Sequence, residues 1–136
     1  MTVIALATAD RVRVVESIQQ LTLVAAEAIV AGNAVRIDTT TGKFTKANGS
    51  GAGEARIYGI ATKTVPAGMP CTAIRRGILG GWVLDALAYD ASIFLSDTDG
   101  AIDTAAGTVS TLLGRVVPLQ QTPLGVNPNK GFSVEL

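Results

Sequence analysis

Histidine is absent, cysteine occurs once, and aromatic side chains make up 4% of the 136 residues. Without histidine and with a single thiol, neither a Ser-His-Asp nor a Cys-His nucleophilic arrangement can be assembled. Zinc lacks the imidazole and thiolate ligands it prefers. One cysteine also excludes an internal disulfide. Cys71, in "MPCTAIRR", reads as a small core residue of a soluble protein made in a reducing compartment. Charge is scarce as well: 16% of residues are charged, and 11 basic side chains cancel 11 acidic ones. A nucleic-acid partner is therefore not expected, since the basic footprint it requires is missing. No apolar run approaches the ~18 residues of a membrane-spanning helix. "MTVIALATA" carries no positive region ahead of its apolar stretch, so it does not read as a signal peptide.

What is present is small and aliphatic. Hydrophobic residues make up 48% of the chain, so the core must be built from Ala, Val, Leu and Ile. With so little charge, part of the apolar surface is expected to be covered by a partner or by copies of the chain itself. Nine of the 11 basic residues precede Gly80 and six of the 11 acids follow it, an asymmetry suited to head-to-tail contact between subunits. Gly and Thr punctuate short runs rich in β-branched residues. "AVRID" (34–38), "ARIYGIAT" (55–62), "CTAIRRG" (71–77), "GWVLD" (81–85), "SIFLS" (92–96) and "GFSVEL" (131–136) read as strands. Turn signals separate them at Thr40–Lys43, at "VPAG" (65–68) and at "DTDG" (97–100). "NGSGAGE" (48–54) reads as a flexible loop without the Lys-Ser/Thr ending of a phosphate loop. The expected fold is mainly β: a single-domain β-barrel or β-sandwich over residues 21–136, preceded by an extended N-terminal arm over 1–20.

That arm has two readings. Val12, Val15, Ile18, Leu21 and Val24 recur every three residues, as on a helix face, yet "RVRVV" and "LTLV" alternate as strands do. A strand over 21–24 with an extended or partly ordered arm before it is the reading adopted. The apolar, uncharged start of the arm is expected to dock on something. Val3, Ile4 and Leu6 are candidate residues of an interface with a partner or another subunit, and the sole tryptophan, Trp82, reads equally as a core anchor or an interface anchor.

The strongest chemical candidate is "FLSDTDGAIDTA", which places Asp97, Asp99 and Asp103 around Gly100. A helix-loop-helix calcium site needs Gly at the sixth position and a bidentate Glu at the twelfth. Counted from Asp97, the glycine is fourth and the twelfth residue is Thr108. A hairpin turn accounts for the same residues, because Asp and Gly at loop tips cap the backbone and supply positive φ. A calcium- or ligand-binding module built on the Asp97–Asp103 loop is the alternative. A carboxylate or Ser-Lys pair drawn from Ser92, Lys63, Asp85 and Asp90 carries no distinguishing spacing, and neither does Lys63 as a carrier lysine. No cofactor is expected.

The order of motifs resembles the small capsid cement, or decoration, proteins of tailed bacteriophages. It runs "LTLVAAEAIVAGNAVRID", then "YGIATKTVPAGMPCTAIRRGILGG", then "DASIFLSDTDGAIDTAAGTVSTLLGRVVP". The shared elements are an Ala/Gly turn into a strand, a "GIA" strand with an Ala-Gly turn, and a "FLS" strand with an Asp/Thr/Gly turn and a closing "GRVV". They span about residues 20 to 120. The resemblance implies a non-enzymatic protein made in the host cytoplasm and carried on the outer capsid surface. There it would bind the major capsid protein as a homotrimer or other homo-oligomer.

Overall fold

The structure, a computed structural model, describes residues 2–119 and 130–136. The described residues form strands and loops without a helix. The strands are β1 (Arg13–Val24), β2 (Ala34–Ile37), β3 (Phe44–Lys46), β4 (Ile57–Ala61), β5 (Pro70–Gly80), β6 (Ser92–Leu95), β7 (Ile102–Asp103), β8 (Leu112–Pro118) and β9 (Lys130–Glu135). They make one antiparallel sheet in the order β3-β2-β4-β5-β9-β8-β6-β7, with β1 added on β5. The sheet curls into a half-barrel, the mainly-β domain expected from the sequence.

Alternation along the central strands supplies two cores. Ile60 pairs with Ile74, and the next pair along is Ala61 with Ala73. Successive side chains on a strand face opposite sides, so the isoleucines enter the main core and the alanines a second, smaller one. The main core joins Leu79, Ile93, Leu95, Ile102, Leu113, Val116 and Phe132 within the curl. The second collects Ala25, Ile29, Val35, Phe44 and Cys71 on the other side of β2, β4 and β5. Aromatic pairs anchor both cores. Phe132 meets Trp82 edge-on with centroids 5.4 Å apart, and Phe44 lies 5.7 Å from Tyr58.

Loops tie the two ends of the sheet together. The Ala34 N–H donates to the Gly100 carbonyl at 2.9 Å, and the Gly100 N–H donates to Ala47 O at 2.7 Å. The Gly49 N–H reaches Ser96 O, and Val109 N–H reaches Gly49 O, each at 2.7 Å. Gly100 sits at φ +74, and a Cβ there would lie 3.0 Å from Asn33 Nδ2. Only glycine combines that backbone conformation with that approach. The loop over 48–54 is thus pinned rather than flexible: it closes on itself through Asn48 N–H to Glu54 O (3.1 Å) and bonds to both neighbours.

Two expected elements are corrected. "GWVLD" forms no strand, because β5 runs on to Gly80 and the chain then turns at Gly81 with φ +122, leaving Trp82 in a lone bridge to Leu6. The strand expected over 21–24 begins eight residues earlier, at Arg13. Its register against β5 shifts between Val14 and Glu16, between Ser17 and Gln19, and between Gln19 and Gln20. Val15 and Ile18 therefore have no opposite residue on β5. The first two shifts each insert one residue into β1, which turns alternation into the three-residue spacing that imitates a helix face, while the third leaves Arg75 of β5 unmatched.

Candidate interaction surface

β1 is the least buried element of the fold. Residues 13–20 are exposed on both faces, and only Leu21 and Leu23 reach partly into the second core. Among the described residues β1 pairs with β5 alone, so its far edge carries free backbone donors and acceptors. β5 keeps this partner close: a Cβ on Gly77 would lie 2.3 Å from the Glu16 carbonyl. The bulges turn apolar side chains outward. Val14 is 44% exposed, Val15 47% and Ile18 68%. A 12-residue strand with an open edge and exposed β-branched residues is a template for a further strand. The sequence reads as an arm here, and the visible signal of the strand is the β-branched run Val14-Val15 with Ile18.

The four residues expected at an interface do come together, but mostly inside the chain. Residues 2–7 run extended across the end of the half-barrel. Ile4 N–H donates to Ile102 O at 2.9 Å, Ala7 N–H to Gly81 O at 2.7 Å, and Val83 N–H to Ala5 O at 2.8 Å. The Thr104 N–H donates to Thr2 O at 3.1 Å. Ile4 and Trp82 are buried, 8% and 6% exposed, and belong to the main core. Leu6 covers Trp82, and a Cβ on Gly32 would lie 3.3 Å from the indole. Burial corrects the expectation that Ile4 and Trp82 are presented to a partner. Of the four, Val3 alone stays well exposed, on the lip of a shallow groove of about 350 Å³.

The aspartate stretch is a turn between β6 and β7, closed by Ser96 N–H to Ala101 O and Ala101 N–H to Thr98 O. Its carboxylates are engaged one by one. Asp97 accepts from the Thr108 hydroxyl at 2.7 Å and the Thr108 N–H at 2.8 Å. Those two bonds hold its carboxyl below the usual carboxylate range. Asp99 accepts from Asn48 Nδ2 at 3.1 Å. Asp103 is buried: its Oδ1 accepts from Thr2 N–H at 2.9 Å and Ala105 N–H at 3.1 Å, while its Oδ2 has no partner among the described residues. Among the described residues, no three groups able to ligate a metal converge. Asp90 forms an exposed ion pair with Arg115 at 3.0 Å, and Ser92 and Lys63 lie exposed on other elements. Cys71 lies in the second core, where burial pushes its thiol up.

Comparison with protein-family models, with curated proteins and with solved structures finds no match to this chain.

Proposed function

We propose that this protein is a non-enzymatic cement protein of a tailed-phage head. In this reading it binds the outer surface of the capsid and stabilises contacts between major capsid subunits. The observation that carries the reading is β1: a long strand, exposed on both faces and open along one edge, fastened to a rigid half-barrel. Such a strand adds backbone hydrogen bonds and apolar contact to a neighbouring sheet edge or extended arm. The order of turn-and-strand motifs supports the same family, and the low charge suits contacts made by apolar and backbone groups. The protein would act as a homotrimer or other homo-oligomer, so that several modest contacts add by multivalency on a symmetric lattice. The Asp97–Asp103 loop does not support a ligand site equally well, because its carboxylates do not converge among the described residues: Asp97 is taken by Thr108, and the unpartnered Oδ2 of Asp103 is buried.

A rupture assay tests the proposal. Expanded heads lacking the protein should break at lower temperature and under milder osmotic shock than complete heads. Purified protein added back should bind and restore resistance, since a ligand of the intact shell stabilises it by mass action. Heads as robust without the protein as with it would overturn the reading.

A further inference from the structure

β2, β4 and β5 border a groove of about 480 Å³ that holds three arginines, Arg36, Arg56 and Arg75. Ile37, Ile57 and Tyr58 are among its apolar lining, and no acidic side chain lines it. Three guanidinium groups in one cleft with no direct ion pair among the described residues call for a reason. Among the described residues the ion pairs both belong to Arg115, elsewhere on the sheet. The nearby acids are occupied. Glu27 accepts from the Thr45 hydroxyl and from the Lys46 N–H at 3.1 Å. Burial opposes its ionisation, but these bonds with the charges of Lys46 and Arg36 hold its carboxyl below the usual value. Asp38 accepts from the Thr40 N–H at 2.8 Å in its own turn.

Two details distinguish the groove from a solvated basic face. Arg36 Nε is fully buried and has no acceptor among the described residues. A buried donor left unpaired is costly, more so when it belongs to a charged group. Arg75 is held in place: its guanidinium lies over the Tyr58 ring at 5.2 Å and gives one N–H to the Tyr58 carbonyl at 3.4 Å. Arginine carries five donors, so most of its fork stays available. Arg36 also lines the groove, and a carboxylate matches the planar Nε–Nη edge of a guanidinium with two parallel bonds.

We propose that this groove is a carboxylate-binding site that takes a Glu or Asp side chain from an extended acidic segment of a protein partner. The apolar lining favours a side chain carried on a peptide over a free, fully hydrated anion. The neutral chain lacks the broad basic surface that a nucleic acid would require. No β1 residue lines the groove, and the site does not depend on the capsid reading.

Calorimetry and thermal melts on the full chain test it at fixed ionic strength, with capped hexaglutamate as the probe. Capped hexaglutamine, citrate and inorganic phosphate are the comparisons. Hexaglutamate should bind and raise the melting temperature, while hexaglutamine should do neither. Arg56 is exposed, so Arg56→Gln should leave the melting temperature of the free protein unchanged and weaken hexaglutamate about tenfold, the loss of one charge-assisted contact. Arg36→Met should melt no lower than the parent, because it removes an unpaired buried donor, yet it should lose the stabilisation by hexaglutamate. Arg76→Gln, on β5 outside the groove, should bind as the parent does. Absence of hexaglutamate binding, or parental binding by both Arg56→Gln and Arg36→Met, would overturn the proposal. Citrate or phosphate binding as tightly as the peptide would overturn the choice of a protein segment as the source.

Discussion

Replacing Ile18 by Thr separates the use of β1 as a contact strand from its part in the fold. Ile18 is 68% exposed and sits in a bulge with no opposite residue on β5. Fully burying an isoleucine side chain is worth roughly 1.5–3 kcal/mol. About two-thirds of that remains available to a partner, roughly 1–2 kcal/mol per copy. The matching loss in affinity is about 5- to 30-fold per contact, and an oligomer multiplies it. Threonine is also β-branched and keeps the preference for extended backbone, so the fold should lose no more than about 0.5 kcal/mol, as for other surface changes. Sedimentation with heads lacking the protein measures the first quantity, and a circular dichroism melt measures the second. The reasoning predicts weakened attachment with an unchanged melt. Parental attachment, or a melt lowered by many degrees, would show that Ile18 is not a contact residue of a free edge.

Other perturbations address the fold beneath that surface. Deleting residues 1–7 removes Ile4 from the main core and the backbone bonds that residues 2–7 make. Loss of a buried Ile alone costs about 2–5 kcal/mol, so a truncated chain that melts like the parent would show that the segment is not docked. Gly114→Ala would set a Cβ 1.8 Å from the Ser133 carbonyl oxygen and 2.9 Å from its carbon. With backbone on both sides of that clash, β8 and β9 cannot keep their pairing, and the variant should be recovered unfolded or protease-sensitive. Asp97 has its carboxyl held below the ordinary 3.8 by Thr108. Its stabilisation is complete above that value and is lost as pH falls through the lower folded-state value. The melting difference between the parent and Asp97→Ala should be full near neutral pH and vanish in strong acid; a difference independent of pH would contradict the two Thr108 bonds.

Turn chemistry was readable from local sequence because glycine and aspartate act within a few residues. Gly42, Gly68 and Gly100 all take positive φ at the turns expected from "TTGK", "VPAG" and "DTDG". Short strands bounded by turn residues, such as 34–37 and 92–95, were equally plain. β1 was not, because its bulges depend on β5, 50 or more residues away in the chain, and they erase the period that identifies a strand. Trp82 and Ile4 could be recognised as anchors from size and hydrophobicity. Whether they anchor a core or an interface depends on the docking of residues 2–7 against Ile102 and Gly81, a long-range pairing with no local signature. The arginine groove shows the same limit. Arg36, Arg56 and Arg75 lie far apart in sequence and meet only through the order β2-β4-β5.

The central claim is that β1 is the strand by which the protein grips a capsid. Amide hydrogen exchange of the free protein and of the protein bound to expanded heads tests it most directly. Amides of residues 13–24 that are not bonded to β5 should exchange rapidly in the free state and become protected on the head, while protection elsewhere changes little. Binding with β1 still exchanging freely, or no binding to heads at all, would contradict it.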